Sequence, residues 1–213
     1  MRYQSLITPE QYSRQKRTDI RSAMARALQT HLRELRIQTG SGLVGFGAVH
    51  DAWPDPEDTY QAPCTATVLP SGYDILSAGM APALLDDTWE PRGQPGLALY
   101  KTGEVGANFD IGIRCPTDNE RSLFVAAIED AWITAGILME GPGMRYGILL
   151  PMPDYWDVCM VASLRSVRLS DDEDHAIRNR REATITVFGT APVVKLGPVQ
   201  PLKITTTMIV NAT

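Results

Sequence analysis

Residue types able to do chemistry are few in this chain, and they lie far apart. His50 stands beside Asp51, a pairing that could share a proton or hold a metal, but no second histidine lies at helical or strand spacing from it. The pair runs into Trp53-Pro54-Asp55-Pro56 and reads as an exposed loop. Asp171, Asp172, Glu173 and Asp174 concentrate negative charge. A calcium loop needs spaced oxygen ligands and a glycine at its sharp turn, and this run has neither, so it reads as a solvated tip with His175 exposed in it. Glu129 and Asp130 are adjacent on a predicted helix, where successive side chains diverge by roughly 100°, so they do not make a catalytic carboxylate pair. His31 falls near the apolar edge of another predicted helix and reads as half-buried. Gly40-x-Gly42-x-x-Gly45 has the spacing of a dinucleotide fingerprint, but it follows a helical pattern where that chemistry needs a strand before and a helix after. No GxSxG, HExxH, P-loop lysine or EF-hand pattern occurs. No residue is therefore named as catalytic, cofactor-binding or metal-ligating, and no cofactor is expected.

The best specified element is Asn108–Gly136. Phe109, Ile111, Ile113 and Cys115 alternate with Asp110, Gly112 and Arg114, the period of a strand with one buried face. Pro116 stops the ladder, and Thr117-Asp-Asn-Glu120 spells a capping box. The helix that follows carries Phe124, Ile128, Ala131, Trp132 and Ala135 as one stripe, with Gly136 placed for a left-handed C-cap. Upstream, Thr8-Pro9-Glu10 starts a long amphipathic helix reaching Arg36, with a break expected near Arg17-Thr18-Asp19. Short strands are expected around Leu43–Val49, Cys64–Leu69, Leu97–Lys101 and Met144–Leu150. Residues 51–65 read as loop and 70–95 as irregular, with Leu76, Met80, Leu84, Leu85 and Trp89 forming a short helix or packing a loop down. Val158, Met160, Ala162 and Leu164 alternate and then slip frame to Val167 and Leu169, which predicts a bulge. With Ala183, Ile185 and Val187 they make a hairpin that projects with a charged tip, and Leu202–Val210 is a last strand. The predicted fold class is α+β: a mainly antiparallel sheet packed against one central helix, with a long N-terminal helix and a projecting β-hairpin. The chain reads as a single domain over 1–213, with the N-terminal helix in 1–38, a proline-rich loop region in 51–95 and a strand-helix-sheet core in 97–213.

At 213 residues, 44% apolar and 21% charged, the chain can bury a sizeable core. No run of eighteen apolar residues occurs, and the basic start lacks the apolar stretch of a secretory signal, so maturation in a reducing cytoplasm is expected. Cys64, Cys115 and Cys159 are odd in number and widely spaced, which predicts neither a disulfide framework nor a zinc site; Cys115 and Cys159 read as small buried hydrophobes. The net charge of −5 is divided unevenly. Residues 1–36 hold eight Lys/Arg against three acids, a net of +5, and the remaining twelve basic and twenty-two acidic residues give −10. Such a split points to a partner or a neighbouring copy, with a solvated basic helix face as the plain alternative. The basic helix lacks interleaved aromatics, and the acidic body repels phosphate, so nucleic-acid binding is not expected.

In its order of elements the chain resembles the tail terminator proteins of tailed bacteriophages. The basic amphipathic N-terminal helix, FDIGIRC followed by DNERSLFVAAIEDAWITAG, and SLRSVRLSDDEDHAIRNRREATITVFG carry that resemblance. It implies a structural virion protein of the tail or neck, assembled in the host cytoplasm, with no enzymatic activity. It further implies a hexameric ring that caps the tail tube and docks on the head-side connector. The partners implied are copies of the chain itself, the tail tube protein and the connector, with DNA passing the channel without specific binding and no membrane. In such a ring Asp171, Asp172, Glu173 and Asp174 suit a lumen that repels phosphate, and Arg14, Lys16, Arg17 and Arg21 suit an acidic neighbour. The 51–95 segment is longer than the family's usual connection, which leaves open another neck or baseplate component such as a stopper or tube-like protein. A small hydrolase with its site in that segment, and Asp51 in the chemistry, is the alternative from a different class.

Overall fold

The computed structural model describes residues 19–52, 64–84, 97–134, 137–139, 145–156, 158–170 and 181–198. Within them two helices, α1 (Ile20–Glu34) and α2 (Asp118–Thr134), accompany nine strands: β1 (Ile37–Thr39), β2 (Gly42–Val44), β3 (Ala48–His50), β4 (Thr65–Leu84), β5 (Leu97–Cys115), β6 (Ile137–Met139), β7 (Arg145–Met152), β8 (Val158–Ser170) and β9 (Arg181–Pro198). β1 and β2 form a small hairpin. The other seven make one sheet in the order β3-β4-β5-β9-β8-β7-β6, antiparallel throughout except for the β3–β4 pair. The described residues are thus α+β and mostly strand, with two helices.

Strand alternation sorts the core. Phe109, Ile111, Ile113 and Cys115 on β5 face inward and pair across to Val187, Ile185, Ala183 and Arg181 on β9, with Ala66 and Val68 of β4 on the other side. Opposing apolar pairs on one face are the unit of sheet stabilisation. On α2, Phe124, Ile128 and Trp132 are the buried stripe, and on α1 it is Ile20, Met24, Ala27, Leu28 and Leu32. The indole N–H of Trp132 donates to Ala162 O at 3.0 Å, so the largest buried side chain has its polar atom satisfied. Gly189 lets α1 and β8 come this close: an added Cβ would lie 3.0 Å from Met24 Cε and Met160 Cε.

The capping box forms as a variant. Thr117 Oγ1 accepts from the Glu120 amide at 3.2 Å, while the Glu120 carboxylate accepts from the Thr117 hydroxyl at 2.9 Å instead of from its backbone. The frame slip in β8 is a bulge: the β8–β9 register shifts between Leu164 and Ser166, which brings Val167 opposite Ile185.

Several expectations need correction. The stretch 70–84 is not irregular but is the bulk of β4, which carries Pro70 and shifts register at three places. β5 runs unbroken from Leu97 to Cys115 where two strands were expected, and β9 continues past Gly189 to Pro198. The β8–β9 pair does not project as a free hairpin. β9 is laddered to β5 along its length, so the pair lies inside the sheet. Cys159 is exposed; it pairs with Pro151 on the helix-free face while Val158 and Met160 turn inward. α1 begins at Ile20, with Asp19 in extended conformation at its N-cap, at the expected break. The N-terminal helix expected over residues 8–18, Gly136, the tip 171–180 and the strand at 202–210 lie outside the described residues.

Candidate functional site

Two surfaces with polar side chains stand out among the described residues. The first lies where β5, β8, β9 and the start of α2 meet. Arg121 sits one turn into α2, on the same stripe as Phe124, Val125 and Ile128, and its side chain is only 6% exposed. One guanidinium nitrogen donates to Ser170 O at 3.1 Å and to Glu182 O at 3.2 Å. Another pairs with Asp118 Oδ1 at 3.1 Å, and Asp118 also meets Arg181 at 3.4 Å. Arg114 and Glu182, opposite each other on β5 and β9, pair at 2.7 Å. Ser170 and Glu182 flank the connection that carries Asp171, Asp172, Glu173 and Asp174, and those four acids lie outside the described residues. The capped helix therefore grips the base of that connection through one buried arginine. The sequence carried a signal for Arg121 that was missed: a charged residue in register with an apolar helical stripe has to find partners where it is buried.

The second surface is a groove of about 940 Å³ between α1 and the outer edge of β4. Ser22, Ala25, Arg26 and Gln29 form one wall, Val68, Pro70, Ser71 and Gly72 the other, and Asp51 sits at the end where β3 stops. Arg21 lays its guanidinium over the Tyr73 ring at 3.6 Å. Arg26 pairs with Asp154 at 3.4 Å, both half-exposed. Of the predicted partner-facing residues, Arg21 is thus in this groove, and Arg14, Lys16 and Arg17 lie outside the described residues. Arg21 on α1 and the strand ends Ser170 and Glu182, which flank the connection bearing the four acids, lie at separate places on the sheet.

The residues weighed for chemistry fall as follows. His50 ends β3, half-buried, and Asp51 follows it exposed. On α2, Glu129 is half-buried and Asp130 exposed. His31 is half-buried edge-on to Trp132, ring centroids 5.3 Å apart, and its Nε2 has no hydrogen-bond partner. Burial holds its imidazole below the usual histidine range, against a weaker opposing pull from Glu34. Among the described residues no group of three or more His, Cys, Asp or Glu is placed to hold a metal ion. None of their helices is long and apolar enough to cross a membrane.

No protein-family model and no curated protein matches the chain. Among solved structures it is similar to the sheath/tube terminator of an extracellular contractile injection system, PVC, in the extended state. That likeness has 15% identity and a TM-score of 0.44, and it covers 92% of this chain and 66% of that one, just under two-thirds of its length.

Proposed function

We propose that this chain is a structural protein of a phage-tail-like particle, assembling with copies of itself into a ring that ends the tail tube. The observation that carries it is a disproportion between the sheet and its helices. β4, β5 and β9 have 20, 19 and 18 residues, on the order of 60 Å each, whereas α1 and α2 have 15 and 17, or roughly 25 Å. Among the described residues, the strands therefore extend past the helices that pack on them. Ile75 and Leu76 lie on that stretch, 67% and 48% exposed. A sheet built beyond what its own core needs is made to be covered by something else, and in a symmetric particle the commonest cover is the same protein.

The order of elements that resembles tail terminators supports the finer reading: a hexamer, with the tube protein below and a head-side connector above. In that arrangement Asp171–Asp174, held on the base that Arg121 grips, face a channel through which DNA slides without sticking. The test is electron microscopy of the purified chain mixed with tubes from its own particle. Rings, free or seated on tube ends, are expected; tubes that grow on without a cap, beside a chain that never forms rings, would refute it.

A further inference from the structure

We infer that the bulge in β8 is clamped from both faces of the sheet, by α2 on one side and by Arg165 on the other. The clamp holds the β8 and β9 ends beyond the bulge in one register and at one angle. The inference stands apart from the ring-forming role proposed above. Three observations carry it.

The first is that α2 is tied to β8 near both of its ends. In its first turn Arg121 donates to Ser170 O at 3.1 Å, and in its last turn the Trp132 indole donates to Ala162 O at 3.0 Å. These carbonyls lie on either side of the register shift between Leu164 and Ser166. Arg121 also reaches Glu182 O at 3.2 Å, and Glu182 is the register partner of Ser170, so both members of the last rung are held. A helix is stiff along its axis, so two fixed points on it fix the bulged stretch between them.

The second is length. From the Ala162–Gly189 rung to the Ser170–Glu182 rung β8 takes eight steps and β9 seven, Arg165 being the residue the register skips. The rungs are therefore about 23 Å apart, as β9 sets them. Eleven residues of α2 separate Arg121 from Trp132, a rise of roughly 16 Å. An arginine side chain leaning toward the helix N-terminus covers the rest. A β8 slipped by one residue would present a different carbonyl at the last rung and turn Val167 and Leu169 to the other face.

The third is on the opposite face. Arg165 sets its guanidinium over the Phe188 ring at 4.5 Å. Phe188 in turn packs against Gly106 of β5, where an added Cβ would come within 2.7 Å of the ring. The bulged residue is thus tied across β9 to β5, and the bulge cannot migrate along β8 without losing that contact. Apolar patterning pins the stretch weakly by itself, since Leu169 is 53% exposed, so the register depends on these side-chain ties.

The experiment is amide hydrogen exchange of the full-length chain, read by mass spectrometry of its peptic fragments. Wild type is compared with Trp132→Phe, Arg165→Ala, the two combined, and Tyr155→Phe as a control for general destabilisation. Expected in each single clamp variant is exchange at 166–170 and 182–184 faster by at least about tenfold than any acceleration at 109–113. The combined variant should exchange there no faster than the larger single effect, because a clamp open on one face is open. Tyr155→Phe should accelerate both regions by the same factor. Strand ends that keep the wild-type rate in either single variant would overturn the inference. So would single effects that multiply in the combined variant, or a selective acceleration in Tyr155→Phe. If Trp132→Phe does not fold, Arg165→Ala at its exposed position decides the question by itself.

Discussion

Arg121→Met removes a side chain that ties α2 to both strands leading into the 171–180 connection. The arginine's contacts include hydrogen bonds to two main-chain carbonyls, at 3.1 and 3.2 Å, and an ion pair at 3.1 Å. Hydrogen bonds to a charged group are worth about 1.5–3 kcal/mol each when both partners are buried. Here the acceptors can be rehydrated, since Ser170 is exposed and Glu182 half-buried. Asp118 is 58% exposed and keeps Arg181, so the ion pair adds well under about 1 kcal/mol. Methionine also refills most of the aliphatic volume and avoids burying a guanidinium. The net cost expected is about 2–3 kcal/mol, read as a fall in the urea midpoint at unchanged m-value, or a Tm lower by about 5–10 °C for a domain of this size. Amide exchange should rise first in residues 168–170 and 182–184, because those strand ends lose their anchor while the core strands do not. Asp118→Asn, by contrast, should cost under about 1 kcal/mol. An Arg121→Met protein within about 0.5 kcal/mol of wild type, with unaltered exchange at those strand ends, would refute the idea that this arginine fastens the base of the connection.

Three more outcomes follow from single contacts. His31 titrates below its unfolded value because burial disfavours the charged ring, so its contribution to stability is complete above about pH 6.5 and is lost as pH falls below that value; stability against pH should drop in that window, and His31→Phe should flatten the drop. Gly189→Val should cost about 1–3 kcal/mol in chemical denaturation: the methionine ends at 3.0 Å could yield to a single methyl, but Phe109 at 3.4 Å blocks a branched side chain. Tyr155→Phe removes the hydroxyl that accepts from the buried Val194 amide at 3.3 Å, and an amide left without a partner should lower stability by about 1–3 kcal/mol, again read from the urea midpoint.

The parts of the fold that could be read from sequence are those where local pattern and tertiary environment agree. Phe109–Cys115, the Thr117–Glu120 cap, the stripe on α2 and the bulge after Leu164 are all short-range signals, and each is found in place. The failures share a cause. Pro70 opens a stretch that reads as irregular, yet it lies inside a long strand, as do Gly103, Gly106 and Pro192. Gly106 is needed there, since a Cβ would meet the Phe188 ring at 2.7 Å. Pro70 is tolerated because it falls on a stretch of β4 with no partner beyond β5 among the described residues. Neither reason is local, so neither shows in a window of ten residues. The groove was illegible for the same reason: Arg21 and Tyr73 are brought together only when α1 crosses the β4 edge.

The prolines also decide how copies can meet. Val193 O accepts from Thr102 on the β5 side, so the main-chain groups of Val194 point away from β5, and the Val194 N–H does reach Tyr155. With a period of two, positions 192, 196 and 198 direct their main-chain groups the same way. Pairing with β8 has ended at Thr190, which leaves this edge of β9 without a strand among the described residues. Positions 192 and 198 are prolines and position 194 is already capped, so three of the four amides that a neighbouring strand would need are missing or engaged. The β4 edge is interrupted by Pro70 and its bulges. A protein that blunts both long edges in this way resists open-ended strand stacking. Contacts between copies are then left to side chains and sheet faces, where charge and shape can set an angle that closes.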